Sequence, residues 1–165
     1  MIEEVFFFRC VMVELEVKTS QIEGVYLSLT SMHSSYLSLK CIVLLGAGLG
    51  LFTRVSITKG SCVCIYTGKV LRTVDAIRLE DKSYLMRLGP QVYVNPYDDT
   101  TVLGRYINDP RNRFLQNVVF DKRPEEQCAY VIARRDIAAG EEIFADYGRW
   151  YWLLKTPTRL EKLPS

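Results

Sequence analysis

The sequence predicts a mainly β fold, built from several small sheets and a few short helices. From Gly46 onward, glycine and proline recur every few residues and divide the chain into short pieces. Between them lie runs rich in β-branched and aromatic residues, and short strands with frequent turns are typical of a mainly β fold. These runs are "CVCIYTG", "SYLMRLG", "QVYVNP", "LQNVVFD", "QCAYVIARR" and "EIFADYG".

Residues 1–45 differ in composition from the rest of the chain. They contain no proline, and Gly24 is their only glycine. Within them "YLSLTSMHSSYLSLK" alternates apolar residues with serine or threonine, a pattern that favours strands. We therefore expect an N-terminal extension of unclear role at 1–45, either an edge sheet or a poorly packed segment. The main domain would occupy 46–152 and a C-terminal tail 153–165.

Two short helices are predicted among the strands. One runs from Thr73 to Lys82, with Thr73 as its cap and Asp75 in its first turn. The other runs through "RWYWLLK" near the end of the chain. The run "AYVIA" is apolar at every position, which predicts a strand covered on both faces.

Length and charge limit the classes of function. A chain of 165 residues is enough for one domain, and 48% hydrophobic with 24% charged residues is typical of a globular protein. A net charge of +2 gives no strong field to attract nucleic acid. No apolar stretch approaches the roughly 20 residues that span a bilayer, and the acidic start does not resemble a signal peptide. We expect a reducing intracellular compartment, without direct contact to nucleic acid or membrane.

The cysteines do not predict a disulfide framework or a metal centre. Their number is five, which is odd, and no secretion signal precedes them. Cys62 and Cys64 form C-x-C, which is half of a possible zinc site. No second C-x-x-C accompanies it, and His33 is the only histidine. We expect two buried thiols on a strand and no bound metal.

The glycine-rich run "CIVLLGAGLGLF" is similar to a dinucleotide-binding fingerprint but departs from it. Counted from Gly46, the position of the third glycine holds Leu51. The following "LFTRVSITKG" is β-branched and does not predict the helix that would bind pyrophosphate. A nucleotide-dependent oxidoreductase is therefore not favoured. Gly48 and Gly50 either permit a tight turn or bulge, or let backbone come close to a bulky ligand.

Seven motifs, each weak alone, form a specific set when taken in order. They are "GLGLFT" (48–53), "ITKGSCVCIYTGKV" (57–70), "YVNP" (93–96), "GRYINDPRN" (104–112), "LQNVVF" (115–120), "ARRDIAAGEEIFADYG" (133–148) and "YW" (151–152). In this order and spacing they resemble the SET domain of protein lysine methyltransferases. The resemblance covers about residues 46–152, and "RDIAAGEEIFADYG" is its most specific part.

The resemblance implies a fold and an activity. The fold would be the SET-domain (β-clip) arrangement of small curled sheets, with a C-terminal pseudoknot that places "YIND" beside "FADYG". The activity would be S-adenosyl-L-methionine-dependent methyl transfer to the side-chain amine of a protein lysine, on a histone tail or another lysine-bearing peptide. The location would be the nucleus or, alternatively, the cytoplasm. The alternative function is a catalytically weak or inactive SET-like module that binds a peptide or a partner protein.

The residue types suit this chemistry. Methyl transfer from a sulfonium is an in-line displacement, and alignment of the reactants can supply roughly 7–11 kcal/mol of the barrier. The lysine must first lose a proton, although its ordinary pKa is about 10.4. An aromatic channel beside a positive sulfur lowers that pKa by desolvation and charge repulsion. Tyrosine hydroxyls can contact the amine and the methyl group without carrying charge.

The resemblance also implies roles for individual residues. Tyr147 corresponds to the active-site tyrosine, and Tyr66 to an aromatic residue that lines the lysine channel. Asn108 would hold the amino-acid end of the cofactor, and Asp109 would meet the adenine through its main chain. The backbone of residues 48–50, which are Gly48, Leu49 and Gly50, would approach the methionine part.

Further residues would complete the two halves of the site. Trp152 would stack on adenine. Tyr84, grouped with the cofactor contacts, and Tyr106 are weaker candidates for the channel walls. Ala145 stands where many members have Phe or Tyr, whose bulk limits how many methyl groups the amine accepts. Phe120 is a candidate to fill that space, and the number of methyl groups stays open.

Asp109 stands where the family usually has histidine. If a histidine ring normally bonds to the core, Asp109 brings a buried charge with a desolvation cost, which Arg105, Arg111 or Arg113 could offset. We expect activity to be retained; cofactor binding restored only by Asp109→His would show the opposite. The cysteine-rich segment that often follows this domain is absent, so closure of the channel would depend on "RWYWLL" or on a partner.

Overall fold

The computed structural model describes residues 14–22, 24–28, 40–44 and 48–155. In 24–28, 40–44 and 153–155 only the backbone is described. The predicted strands of "YLSLTSMHSSYLSLK" therefore fall only partly within the described residues. Strands β2 (Gly24–Ser28) and β3 (Lys40–Leu44) lie at its two ends and pair with each other antiparallel.

The described residues form four small antiparallel sheets. One of them is the β2-β3 pair. A second sheet is made by β1 (Leu15–Thr19) and β4 (Leu49–Thr53), so part of segment 1–45 pairs with the first motif of the domain. The other two sheets have three strands each, in the orders β5-β10-β9 and β6-β8-β7. Their strands are β5 (Cys62–Tyr66), β6 (Lys69–Leu71), β7 (Met86–Arg87), β8 (Tyr93–Asn95), β9 (Val118–Arg123) and β10 (Cys128–Ala133).

Strand β10 is the centre of the largest sheet. Ala129, Val131 and Ala133 are buried on its inner face. Tyr130 and Ile132, which alternate with them, are only half-buried. The prediction of a strand covered on both faces is therefore wrong for the outer face, because no other layer of the described residues covers it.

The helices are short. Helix α1 is Thr73–Arg78, shorter than predicted, because Leu79 is already extended. Its N-cap residue is Arg72 without a side-chain capping bond, so the prediction that Thr73 caps the helix is wrong. Helix α2, Arg149–Lys155, matches the predicted "RWYWLLK". A 3-10 turn, Leu103–Tyr106, leads into the Asn108–Asp109 pair.

The run "EIFADYG" is extended but does not form the predicted strand. Its backbone N–H groups donate to three different segments: Ile143 to the Leu51 carbonyl, Phe144 to the Asn117 side chain, and Ala145 to the Asn108 carbonyl. No single partner therefore builds a ladder with it. It makes only isolated bridges, antiparallel to Phe52 and parallel to Asn108.

The core joins these segments. Leu51, Ile107, Val131 and Ile143 are at most 1% exposed, and they come from four stretches far apart in the sequence. Burial of each such side chain contributes about 1.5–3 kcal/mol. The fold class is confirmed: mainly β, with small antiparallel sheets and a few short helices. In the described part of the chain, no helix is long and apolar enough to cross a membrane.

Candidate active site

Segment 106–109 and segment 144–147 lie side by side, as the resemblance implied. Asn108 pairs with Phe144 in a parallel bridge, and the Ala145 N–H donates to the Asn108 carbonyl at 3.0 Å. The Tyr147 hydroxyl donates to the Ile107 carbonyl at 2.5 Å. The polar pair and the tyrosine, which are 38 residues or more apart in sequence, therefore meet at one place.

The Asn108 side chain connects this junction to β4. Its Nδ2 donates to the Leu49 carbonyl at 3.0 Å and to Glu142 Oε1 at 3.3 Å. Among the described residues, no donor is bonded to its Oδ1. Asn108 therefore keeps an acceptor that is available to a ligand, next to the backbone of Leu49.

Glycine is favoured on either side of Leu49 for two different physical reasons. Gly48 has φ +79°, a left-handed conformation, and a Cβ placed on it would meet nothing within 4 Å. A Cβ on Gly50 would collide with the carboxylate of Glu142. The open space is at Gly48, whereas the close approach at Gly50 is made by the protein's own side chain.

Glu142 is a buried carboxylate that the sequence did not single out. It is 3% exposed and accepts hydrogen bonds from Ser20 Oγ at 2.6 Å and from the Gln21 N–H at 2.8 Å, besides that from Asn108. In the sequence it follows a glycine turn beside a second glutamate, where a solvated side chain is the ordinary expectation. No local pattern distinguishes it from Glu141, which forms an exposed ion pair with Arg135.

Asn117 is the second residue that the sequence did not single out. It is fully buried; its Nδ2 donates to the Glu142 carbonyl at 2.8 Å, and its Oδ1 accepts from the Phe144 N–H at 2.8 Å. The side chain thus takes the place of a strand neighbour for residues 142–144. A polar residue immediately before the apolar run of β9 was the available signal.

Tyr147 lies under the aromatic residues of α2. Its ring meets the Tyr151 ring edge-on at 4.6 Å and lies nearly parallel to the Trp152 ring at 6.2 Å. Burial raises the pKa of Tyr147 well above its ordinary value, and the neighbouring phenols of Tyr151 and Tyr66 add to the effect. The Tyr147 phenol is therefore neutral at any physiological pH.

Tyr66 forms the opposite part of the same phenol cluster. It is 6% exposed, donates to the Tyr84 carbonyl at 2.6 Å, and meets the Phe120 ring edge-on at 5.7 Å. Burial raises its pKa above the ordinary value, although the Arg105 guanidinium opposes this shift. The Tyr66 side chain thus contacts both Tyr84 and Phe120.

Tyr106 lies apart from the phenols of Tyr66 and Tyr147. Its hydroxyl approaches the Thr100 carbonyl at 3.4 Å, in an exposed loop. The Arg105 guanidinium lies over both the Tyr84 ring, at 4.3 Å, and the Tyr106 ring, at 5.5 Å. The arrangement connects Tyr106 to the site through Arg105 and not through its own hydroxyl.

Asp109 is buried, at 7% exposure, and its carboxylate receives three N–H donors. Oδ1 accepts from the Arg111 backbone at 2.7 Å, and Oδ2 accepts from the Tyr147 backbone at 3.0 Å and from the Trp152 indole at 2.9 Å. No arginine side chain of the described residues lies within ion-pair distance of it. The expected compensation by arginine is thus replaced by neutral N–H groups.

A cavity of about 320 Å³ opens beside this carboxylate. The Arg111 guanidinium lies over the Trp152 ring, 4.6 Å from the ring centroid. The lining residues are Asp109, Arg111, Arg113, Gln116, Asp146, Gly148, Arg149 and Trp152. A second cavity, of about 390 Å³, lies at β6 and contains none of the sequence-predicted site residues.

Of the cysteines whose side chains the structure describes, Cys62 and Cys64 lie on β5 and Cys128 lies on β10. Cys62 is buried on β5, and its thiol is 3.5 Å from the Cys64 carbonyl. Within the described ranges, no three metal-ligating side chains come together.

Comparison with known proteins places this geometry in a class. Small antiparallel sheets, with a C-terminal segment lying beside an Asn-containing segment, define a SET-type fold. A family model described as SET domain matches residues 48–148. The chain therefore belongs to the SET domain family, whose members are generally protein lysine methyltransferases.

Among solved structures, the chain is similar to one in the crystal structure of an active polycomb repressive complex 2 in the basal state. The TM-score is 0.57 at 26% sequence identity, and the match covers 82% of this chain. It covers 15% of that chain, so the similarity concerns one part of a much longer protein.

Proposed function

We propose that this domain transfers a methyl group from S-adenosyl-L-methionine to the side-chain amine of a protein lysine. The observation that carries the proposal is the arrangement of two phenols, of which Tyr66 is buried and Tyr147 is half-buried. Tyr147 donates its proton to the Ile107 carbonyl, and Tyr66 donates its proton to the Tyr84 carbonyl. With their protons held by main-chain carbonyls, both hydroxyl oxygens can only accept.

Two uncharged acceptors suit the amine and the methyl group. A neutral phenol oxygen accepts a hydrogen bond from the lysine nitrogen and weak C–H···O bonds from a polarised methyl group. Its raised pKa keeps it neutral, so it does not stabilise the protonated amine as a carboxylate would. The buried surroundings of Tyr66 and Tyr147 favour the amine in its reactive form, with the lone pair that forms the new N–C bond as the C–S bond breaks.

The residues around Asn108 fit the cofactor. When bound, S-adenosyl-L-methionine supplies the methyl group on a positively charged sulfur. Asn108 offers Oδ1 to the amino group of the methionine part, and the open side of Gly48 gives room for its backbone to approach. Glu142 and Asp109 are buried carboxylates, neither with a lysine or arginine partner among the described residues. Both carboxylates favour a cationic ligand in their neighbourhood.

We assign the adenine part to the cavity of about 320 Å³ beside Asp109 and Trp152. Asp109, which lines this cavity, would meet the adenine through its main chain. Because Arg111 already lies over the Trp152 ring, adenine stacks on that ring only if Arg111 moves aside.

The number of methyl groups depends on the space around the lysine nitrogen. Ala145 is fully buried and carries no bulk to restrict the amine. Phe120 packs edge-on against Tyr66 and is the residue in position to limit that space. Replacement of Phe120 by a smaller side chain would then raise the number of methyl groups added.

For the substrate, we propose a histone tail or another lysine-bearing peptide, and the nucleus as the location, with the cytoplasm as the alternative. Similarity to a chain of an active polycomb repressive complex 2 supports this choice. Within the chain we propose 46–152 as the SET domain, 1–45 as an N-terminal extension and 153–165 as a tail.

The alternative is an inactive SET-like module that binds a peptide or a partner protein. Asp109 in the usual histidine position and Arg111 over the Trp152 ring favour it. In that case the phenol cluster would hold a lysine side chain without methyl transfer.

Two measurements test the proposal. Calorimetry should detect binding of S-adenosyl-L-methionine, and a radiolabelled-methyl assay on a panel of histones and whole-cell extract should yield labelled protein. Tyr147→Phe, which keeps the ring, is the control that should lose the label. Binding heat without labelled product would support the inactive module, and absence of both would refute the cofactor assignment.

A further inference from the structure

We infer that Asp109 is a positioning residue that fastens helix α2 over Tyr147 through its carboxylate. This inference rests on the proposed function for its catalytic consequence, but not for its structural part. The side-chain carboxylate of Asp109 would thus position α2, in addition to the main-chain contact with adenine proposed above.

The hydrogen bonds around Asp109 join three segments of the chain. Oδ2 accepts from the Tyr147 backbone and from the Trp152 indole, so one oxygen holds both the active-site segment and α2. Oδ1 accepts from the Arg111 backbone and closes the turn that follows Pro110. Removal of the carboxylate would leave all three donors without this acceptor.

A carboxylate suits this place better than the histidine that the family usually has. A neutral imidazole has one acceptor nitrogen, whereas a carboxylate has two oxygens that accept up to four hydrogen bonds. Three converging N–H donors within 3.0 Å therefore match Asp109 and cannot all be satisfied by histidine. Bonds to an ionised acceptor are also stronger than neutral ones, which offsets the cost of burying the charge.

The hydrogen bond between Trp152 and Asp109 fixes the aromatic rings that lie against Tyr147. Trp152 lies nearly parallel to the Tyr147 ring, and Tyr151 meets both rings edge-on. Helix α2 has only seven residues, Arg149–Lys155, which is too short to be stable by itself. Its position therefore depends on contacts with the rest of the domain, and the hydrogen bond from the Trp152 indole to the buried Asp109 carboxylate is one of them.

The first experiment follows the indole itself and needs no enzymatic activity. Trp150 is exposed, so Trp150→Phe leaves Trp152 as the only tryptophan and a single indole N–H signal in the NMR spectrum. We expect this proton to be protected from exchange with water, and to lose its protection in Asp109→Leu. Unchanged protection would overturn the inference.

Asp136→Asn is the matched control for loss of a carboxylate. Asp136 is exposed and accepts a backbone N–H, that of Lys59, at 2.7 Å, away from the site. It should leave the indole signal unchanged. If Asp109→Leu does not fold, Asp109→Asn is measured in its place, because a neutral amide oxygen accepts a weaker hydrogen bond than a carboxylate and should lower the protection of the indole N–H.

The second experiment measures kcat and KM for the cofactor. Loss of alignment at Tyr147 should lower kcat by about 10- to 100-fold in Asp109→Leu. Trp152→Phe keeps a ring and removes the N–H; it should lower kcat too, but add little to the loss already present in Asp109→Leu. Fully additive losses would show that the two residues act separately and would overturn the link.

The histidine variant gives the sharpest contrast. Asp109→His introduces the family's usual residue, and we expect it to lose indole protection and kcat as Asp109→Leu does. A higher kcat than that of the unchanged protein would overturn the inference. If the unchanged protein transfers no methyl group at all, the proposed function fails, whereas the link between Asp109 and α2 is still decided by the indole signal.

Discussion

The two sides of the site are built from different kinds of contact. On one side lies a polar wall, defined by Ser20, Gly50, Asn108, Asn117 and Glu142. On the other lies an aromatic wall, defined by Tyr66, Phe120, Tyr147, Tyr151 and Trp152. Asn108 and Asp109 are adjacent in sequence, yet Asn108 bonds to the polar wall and Asp109 bonds to the aromatic wall.

The two walls differ in their expected contribution: the polar wall stabilises the fold, and the aromatic wall serves the reaction. In the polar wall, Asn117 and Glu142 bond to other protein groups and are almost completely buried. In the aromatic wall, the phenols give their protons to carbonyls and keep oxygen lone pairs for a ligand. Changes in the polar wall should therefore reduce stability most, and changes in the aromatic wall should reduce the rate most.

The largest effect is expected at Tyr147. Tyr147→Phe removes one acceptor at the reacting centre, and we expect the rate of methyl transfer to fall about 10²-fold. The free energy of unfolding should fall by only about 1 kcal/mol, because one hydrogen bond is lost. Steady-state kinetics and urea denaturation measure the two.

Tyr130→Phe is the control, since its hydroxyl bonds to Glu126 at an exposed site. It should leave the rate unchanged. A Tyr147→Phe variant with full activity would contradict the assignment of chemistry to the aromatic wall.

The second effect is on the polar wall. Asn117→Ala leaves the Glu142 carbonyl and the Phe144 N–H without their partner in a buried place. We expect the free energy of unfolding to fall by about 2–3 kcal/mol, measured by urea denaturation. Asn112→Ala is the control, because the side chain of the exposed Asn112 accepts the Phe114 N–H, at 3.1 Å, in contact with solvent. Equal losses in both variants would remove the distinction between the two walls.

The neighbouring glycines give a smaller and more selective test. Gly50→Ala places a methyl group against the Glu142 carboxylate and should cost about 1–3 kcal/mol through the displaced network. Gly48→Ala meets no atom and should cost about 1 kcal/mol, from the left-handed backbone alone. Thermal unfolding of the two variants gives the order. A larger loss of stability in Gly48→Ala than in Gly50→Ala would show that the Glu142 side chain can move away from residue 50 at little cost.

The smallest effect concerns pH. An unfolded tyrosine loses its proton near pH 10, whereas burial keeps Tyr66 and Tyr147 protonated in the folded state. Their contribution to stability is therefore complete below about pH 10 and is lost as the pH rises further. Phenolate absorbance of the folded protein should have the same amplitude between pH 9 and 11 in Tyr147→Phe as in the unchanged protein. An amplitude lower by one of the ten tyrosines would contradict this.

Local patterns in the sequence predicted the short strands and the final helix. The runs "CVCIYTG", "QVYVNP" and "QCAYVIARR" contain β5, β8 and β10, and α2 coincides with "RWYWLLK". Strand β4 begins inside the glycine-rich run, at Leu49, and no helix follows it before β5, in agreement with the departure from a dinucleotide-binding unit. These elements depend on neighbouring residues, which a sequence displays directly.

The features that the sequence did not reveal depend on distant partners. Nothing near Glu142 shows that Ser20 will bond to it, and nothing near Asp109 shows that the Trp152 indole will. The extended run "EIFADYG" looked like a strand because its composition is that of one. Its three different partners, which prevent a ladder, lie up to 92 residues away, the distance from Leu51 to Ile143. The sequence indicated Thr73 as the N-cap of α1, whereas the N-cap residue in the structure is Arg72.

The hydrogen bond from Ser20 to Glu142 spans 122 residues, and it has a consequence for how the protein folds. Contacts between distant residues close large loops and slow folding, so this wall should form late. During synthesis, β1 can pair with β4 long before residue 142 leaves the ribosome. The polar wall thus acquires this contact only after residue 142 has emerged, and chains that stop before it would lack the assembled polar wall.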